Sequence, residues 1–167
     1  VRGSNQFAAS STGVVYIHSS PAALCPHVQW ALADALGARA DLRWSPTLDD
    51  QLSASVEWTG PVGTAGALAA ALRPWSLLRF EVTEDPSEGV DGMRYCHVPG
   101  LGLWQGTTNA VGDVVVGEQR LRAILAGGAD VGGEIRRALG TAWDEALEPF
   151  RFGGAGAEVT WLHRYVS

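Results

Sequence analysis

The chain has 167 residues, of which 46% are hydrophobic and 18% charged, and its formal net charge is −6. That balance excludes a chain disordered throughout, and the length suits one domain able to bury its own core. All twelve basic residues are arginine, and an acidic chain with so few cations argues against sequence-independent nucleic-acid binding.

Residues 1–12, small and polar, are expected to form a loose N-terminal arm ahead of one α+β domain over 13–167. Val14–His18 reads as a strand, followed by a helix with Val28, Ala31, Leu32, Ala35 and Leu36 on one face and Gly37 at its C-cap. Leu42 and Trp44 suggest a short strand before Pro46. Leu52, Ala54, Val56 and Trp58 then alternate with polar residues, the period of a half-buried strand. A second helix over about 64–73 buries Ala65, Leu68 and Leu72, and Leu78, Phe80 and Val82 mark another strand. The order strand–helix–strand–strand–helix–strand over 13–83 predicts a ferredoxin-like βαββαβ core.

Beyond it, Met93–Val98 and Leu101–Gln105 read as a hairpin about Pro99-Gly100, and Val111–Val116 as a strand. A short helix should turn Leu121, Ile124 and Leu125 inward. A long helix over about 130–148 carries the stripe Ile135, Leu139, Ala142, Trp143, Ala146 and Leu147, with Pro149 as its stop. Val159–Val166 is expected as a closing strand. No apolar run approaches the ~20 residues of a membrane span, and residues 1–12 lack the features of a secretion signal. With only two cysteines, a cytoplasmic protein is expected.

Cys25-Pro26-His27 is the most distinctive triplet. Pro26 suits a first helical position, so Cys25 becomes the expected N-cap of the helix after the first strand, where backbone N–H groups lower a thiol pKa. With His18 at the end of that strand, His18, Cys25 and His27 form the candidate reactive or ligand site. The competing reading makes Cys25 a small buried filler and His27 a surface residue, and the lack of a CxxC or third group favours it. Cys96-His97 offers further zinc-type ligands, but neighbours on a strand point to opposite faces, so no metal site is expected.

Glu81, Glu84, Asp85, Glu88 and Asp91 do not follow a calcium-loop pattern and read as an acidic loop suited to docking an arginine-rich partner. The glycines of Gly60-Pro61-Val62-Gly63-Thr64-Ala65-Gly66 match neither phosphate-binding fingerprint and are explained by turn chemistry. His163 reads as a packed residue, and no G-x-S-x-G motif accompanies Ser19 or Ser20. Trp30, flanked by His27 and Asp34, and Trp104 are expected outside the core. With Glu84, Asp85 and Glu88 they make the candidate partner surface. No catalytic residue and no cofactor can be assigned.

Several stretches together resemble the actinobacterial proteins catalogued as domain of unknown function 3145. They are HSSPAALCPHVQWA at 18–31, WTGPVGTAGALAAALRPW at 58–75, RFEVTEDPSEGVDGMRYCHVPGLG at 79–102, GTAWDEALEPFRF at 140–152 and VTWLHR at 159–164. The resemblance carries no assigned activity, and its one implication is a partner in fatty-acid or acyl-CoA metabolism. The leading expectation is therefore a non-catalytic binding or regulatory protein that docks onto another protein, away from membranes. A small-molecule effector module resembling ACT-type domains comes second, and an enzyme acting around His18, Cys25 and His27 third.

Overall fold

A computed structural model describes residues 9–152. These fold into a seven-stranded antiparallel sheet and five α-helices, an α+β architecture. The strands are β1 (Ser10–Ser20), β2 (Ser45–Pro46), β3 (Leu52–Pro61), β4 (Arg79–Glu84), β5 (Gly92–Val98), β6 (Gly102–Thr108) and β7 (Val114–Val115). Their order across the sheet is β2-β3-β1-β4-β5-β6-β7. The helices are α1 (Cys25–Leu36), α2 (Thr64–Leu72), α3 (Glu118–Gly127), α4 (Val131–Leu139) and α5 (Thr141–Phe152).

Strand alternation divides the side chains between two faces. On one face Val15, Ile17, Phe80 and Val82 pack against Val28 and Leu32 of α1 and Ala65, Leu68, Ala69 and Leu72 of α2. This is the main core, and Leu42 and Trp44 lie half-buried against it. On the other face Cys96, Val98 and Trp104 pack beneath Leu147, Trp143 and Ala146 of α5. The sheet therefore has helices on both sides.

Several boundaries differ from the sequence pattern. β1 begins at Ser10, because Ser10, Ser11 and Thr12 pair with Pro61, Gly60 and Thr59, so the expected arm is partly sheet. Small polar side chains hide that extension from any hydrophobic period. β2 is only Ser45–Pro46, and the expected strand over 111–116 shrinks to Val114–Val115. The expected helix over 130–148 is two helices broken at Gly140, which takes φ +73 and caps α4 by donating to the Arg136 and Arg137 carbonyls. A Cβ at Gly140 would lie 2.7 Å from the Trp104 indole, so that close approach also demands glycine.

Pro149 does not end α5, which continues to Phe152. The carbonyl it leaves without a donor, four residues back at Glu145, belongs to an exposed residue that water can serve. α3 buries no residue, and Leu121 and Leu125 are exposed rather than inward. α3 packs chiefly on α4, while α5 lies against the sheet. The expected strand Val159–Val166 and His163 lie outside the described residues.

Candidate functional site

β1, β4 and β5 bring His18, Glu81, Arg94 and Cys96 to the sheet face beneath α5. A β-bulge between Ile17 and Ser19 sets the end of β1 out of regular register, and His18 stacks on Tyr16 with ring centroids 5.9 Å apart. Its Nε2 donates to Glu81 Oε1 at 2.9 Å. Arg151 of α5 donates its Nε to the same oxygen at 2.6 Å, while Arg94 Nε lies 3.5 Å from Oε2. Asp144 of α5 closes the network by pairing with both Arg94 and Arg151.

Two carboxylates thus face two guanidiniums, with the His18 ring as a further donor to Glu81. The Glu81 side chain is 4% exposed and that of Arg151 8%. Burial by itself would raise the Glu81 pKa, but the His18 hydrogen bond and charge, followed by those of Arg151, hold it well below the usual carboxylate range. Burial likewise opposes the charge on Arg151, and Glu81 and Asp144 more than compensate, so its pKa is raised. Arg94 is raised in the same way by Cys96, Glu81 and Asp144.

Cys96, His18 and Glu81 superficially suggest a nucleophile, a base and an orienting acid. The electrostatics deny it. Burial, then the Glu81 charge, pushes the Cys96 thiol up to about 12, and its Sγ points at Glu81 Oε2, 3.7 Å away. It is fully buried and keeps its proton at neutral pH. His97, on the opposite face, stacks on Phe80 and donates Nδ1–H to the Leu78 carbonyl at 2.7 Å. Among the described residues no hydrogen bond or ring contact joins Cys96 or His97 to Cys25 or His27. The cluster's evident chemistry is to fasten α5 to the sheet.

The expected trio does not assemble. His18 is engaged by Glu81, whereas His27 is exposed and packs edge-on against Trp30 at 5.4 Å. Cys25 is buried and is the first helical residue of α1, not its cap, because a 3-10 turn at Ala22–Leu24 makes Leu24 the N-cap. Its Sγ faces the Pro21 carbonyl at 3.6 Å and Ser20 Oγ at 3.8 Å, with no cap hydrogen bond at that end.

The expected partner surface separates in the same way. Trp30 stands 66% exposed on α1, with Asp34 one turn on and also exposed. Trp104 is only 6% exposed: its indole packs against Gly106 and Gly140, and its Nε1 donates to the Arg137 carbonyl at 3.1 Å. The sequence pattern could not show α4 and α5 closing over it. Glu84 is buried, accepting from the Gly63 and Ala65 N–H groups at 2.8 and 3.1 Å. That carboxylate fills the N-terminus of α2, the place a phosphate would take after the glycine-rich turn. Asp85 is half-buried and accepts from Thr12 Oγ1 at 2.8 Å, leaving Glu88 exposed.

Sequence reasoning missed Arg94, Asp144 and Arg151. The available signal was positional: Arg79 and Glu81 alternate with Phe80 and Val82, which marks a second face with charges on it. Nothing local says that a helix seventy residues later covers that face.

A search of curated proteins and a search of solved structures each return no match. A family model described as "Protein of unknown function (DUF3145)" matches residues 14–164, nearly the whole chain. The chain belongs to the DUF3145 family.

Proposed function

We propose that this protein is a non-catalytic binding module that docks a partner protein through the outer face of α1. The observation that carries the reading is Trp30, 66% exposed and held edge-on by His27. Exposing so large an aromatic while helix neighbours Val28 and Leu32 are fully buried suits an anchor for a pocket on another protein. The reactive groups beneath α5 support a non-catalytic role, because Glu81 and both arginines are consumed by one another.

The order β2-β3-β1-β4, antiparallel and backed by α1 and α2, supports a ferredoxin-like core as the platform. A regulatory role and a cytoplasmic setting belong to the same reading; the latter is supported by two free, buried cysteines. Enzymes of acyl metabolism are the first partners to test, on the expectation attached to the family resemblance.

The test is quantitative co-purification of the full chain and of Trp30→Ala from the native host. Specific proteins enriched with the wild type should be lost with the variant while its melting temperature stays unchanged. Identical co-purifying sets, or none for either chain, would remove the reading.

A further inference from the structure

At the end of the sheet where β1 finishes and β4 begins lies a cleft of about 280 Å³, lined by Ser19, Asp49, Gln51, Leu77, Arg79 and Pro99. We infer that this cleft binds a small zwitterion, an α-amino acid with an apolar side chain, with its carboxylate on Arg79 and Ser19 and its ammonium on Asp49.

Arg79 is the first reason. Three described arginines are partly buried, namely Arg79, Arg94 and Arg151. Arg94 and Arg151 are each paired to Glu81 and Asp144, whereas Arg79 has no carboxylate partner among the described residues. Its guanidinium lies over the Phe150 ring, 4.5 Å from the centroid, a contact that does not occupy its N–H donors with a carboxylate. The β-bulge supplies the second group, because its shift makes Ser19 the cross-strand partner of Arg79. Ser19 is 1% exposed, lines the cleft and makes no side-chain hydrogen bond among the described residues. Its hydroxyl is therefore left to a ligand or to water in the cleft.

The opposite charge completes the set. Asp49 lines the same cleft and forms no ion pair with Arg79, so two complementary charges stand apart with space between them. Gln51 turns its amide nitrogen back to the Asp49 carbonyl at 3.5 Å, leaving its side-chain oxygen as a further acceptor. A simple anion would meet Asp49 repulsively, and a simple cation would meet Arg79; a ligand carrying both charges satisfies both ends. Leu77 and Pro99 give the remaining wall an apolar character. The volume lies at the small end for ligand sites, which suits an amino acid. The site is separate from the α1 surface, so the two proposals stand or fall independently.

Calorimetric titration and thermal melting of the full chain with L-leucine, L-valine, L-methionine, 4-methylpentanoate, 3-methylbutylamine and inorganic phosphate test it. At least one amino acid should bind and raise the melting temperature, with the one-charge analogues of leucine about tenfold or more weaker than leucine itself. Arg79→Gln should abolish binding. Asp49→Asn, at an exposed position outside the core, should retain the fold while removing the preference for leucine over 4-methylpentanoate. Failure of all three amino acids to bind overturns the proposal, as does binding of phosphate alone. So does an unchanged preference in Asp49→Asn, which decides the matter even if Arg79→Gln fails to fold.

Discussion

Glu81 of β4 and Arg151 of α5 meet at 2.6 Å, both buried, and this contact joins the last described helix to the sheet beneath it. An ion pair taken out of water contributes little net stability against an apolar pair of the same shape, yet removing one partner leaves the other charge buried and alone. Arg94 and Asp144 make the contact part of a network, so its members are expected to be strongly coupled.

Glu81→Gln should therefore cost about 3–5 kcal/mol, since Arg94 and Arg151 would both lose the buried carboxylate charge they share. Urea unfolding measures the loss, and amide hydrogen exchange should show α5 opening before α1 and α2. A loss below about 1 kcal/mol would mean the network is solvated and does not hold α5.

Acid should act through the same carboxylate. Its folded pKa is depressed by His18 and Arg151 despite burial, so the folded state holds Glu81 ionised more strongly than the unfolded chain does. The stabilising contribution is whole above the ordinary value of about 4.3 and drains away as pH falls from there toward the depressed value. The stability difference between wild type and Glu81→Gln should thus narrow on moving from about pH 5 to pH 3. A constant difference across that range would contradict this origin.

The two cysteines should differ from any reactive thiol. With its pKa pushed up to about 12, Cys96 should resist iodoacetamide in the native protein near neutral pH and react only on unfolding. Because folding raises this pKa, its contribution is complete below the unfolded value of about 8.5 and is lost as pH rises toward the folded value. Cys25→Ser should cost less than about 1.5 kcal/mol, because a serine hydroxyl can donate to the Pro21 carbonyl that Sγ now faces. Rapid alkylation of the folded protein at either position would refute the inert reading of that thiol.

Glu84 and Glu88 make a paired test of burial. Glu84→Ala strips the carboxylate from the Gly63 and Ala65 N–H groups and should cost about 1.5–3 kcal/mol. Glu88→Ala removes an exposed charge and should stay within about 0.5 kcal/mol of wild type. Equal effects of the two substitutions in chemical denaturation would show that the α2 cap is not what makes Glu84 matter.

The sequence by itself determined the elements whose period is set by one buried face. Val28 and Leu32, Leu68 and Leu72, and Phe80 and Val82 all lie at positions where local alternation or helical spacing already points inward. Their order along the chain, and the α+β class with it, follows from the same local rules. What only the tertiary structure decided is which charged and aromatic side chains become covered. Glu81, Glu84 and Trp104 read as surface residues because their own segments contain nothing that covers them. Their burial depends on α2, α4 and α5 arriving from elsewhere in the chain, and on Gly140 turning the last two helices onto Trp104. Charge in a sequence reports a preference for water, whereas charge in a fold can be satisfied by another charge. A one-dimensional pattern does not record which opposite charges distant in the chain will meet.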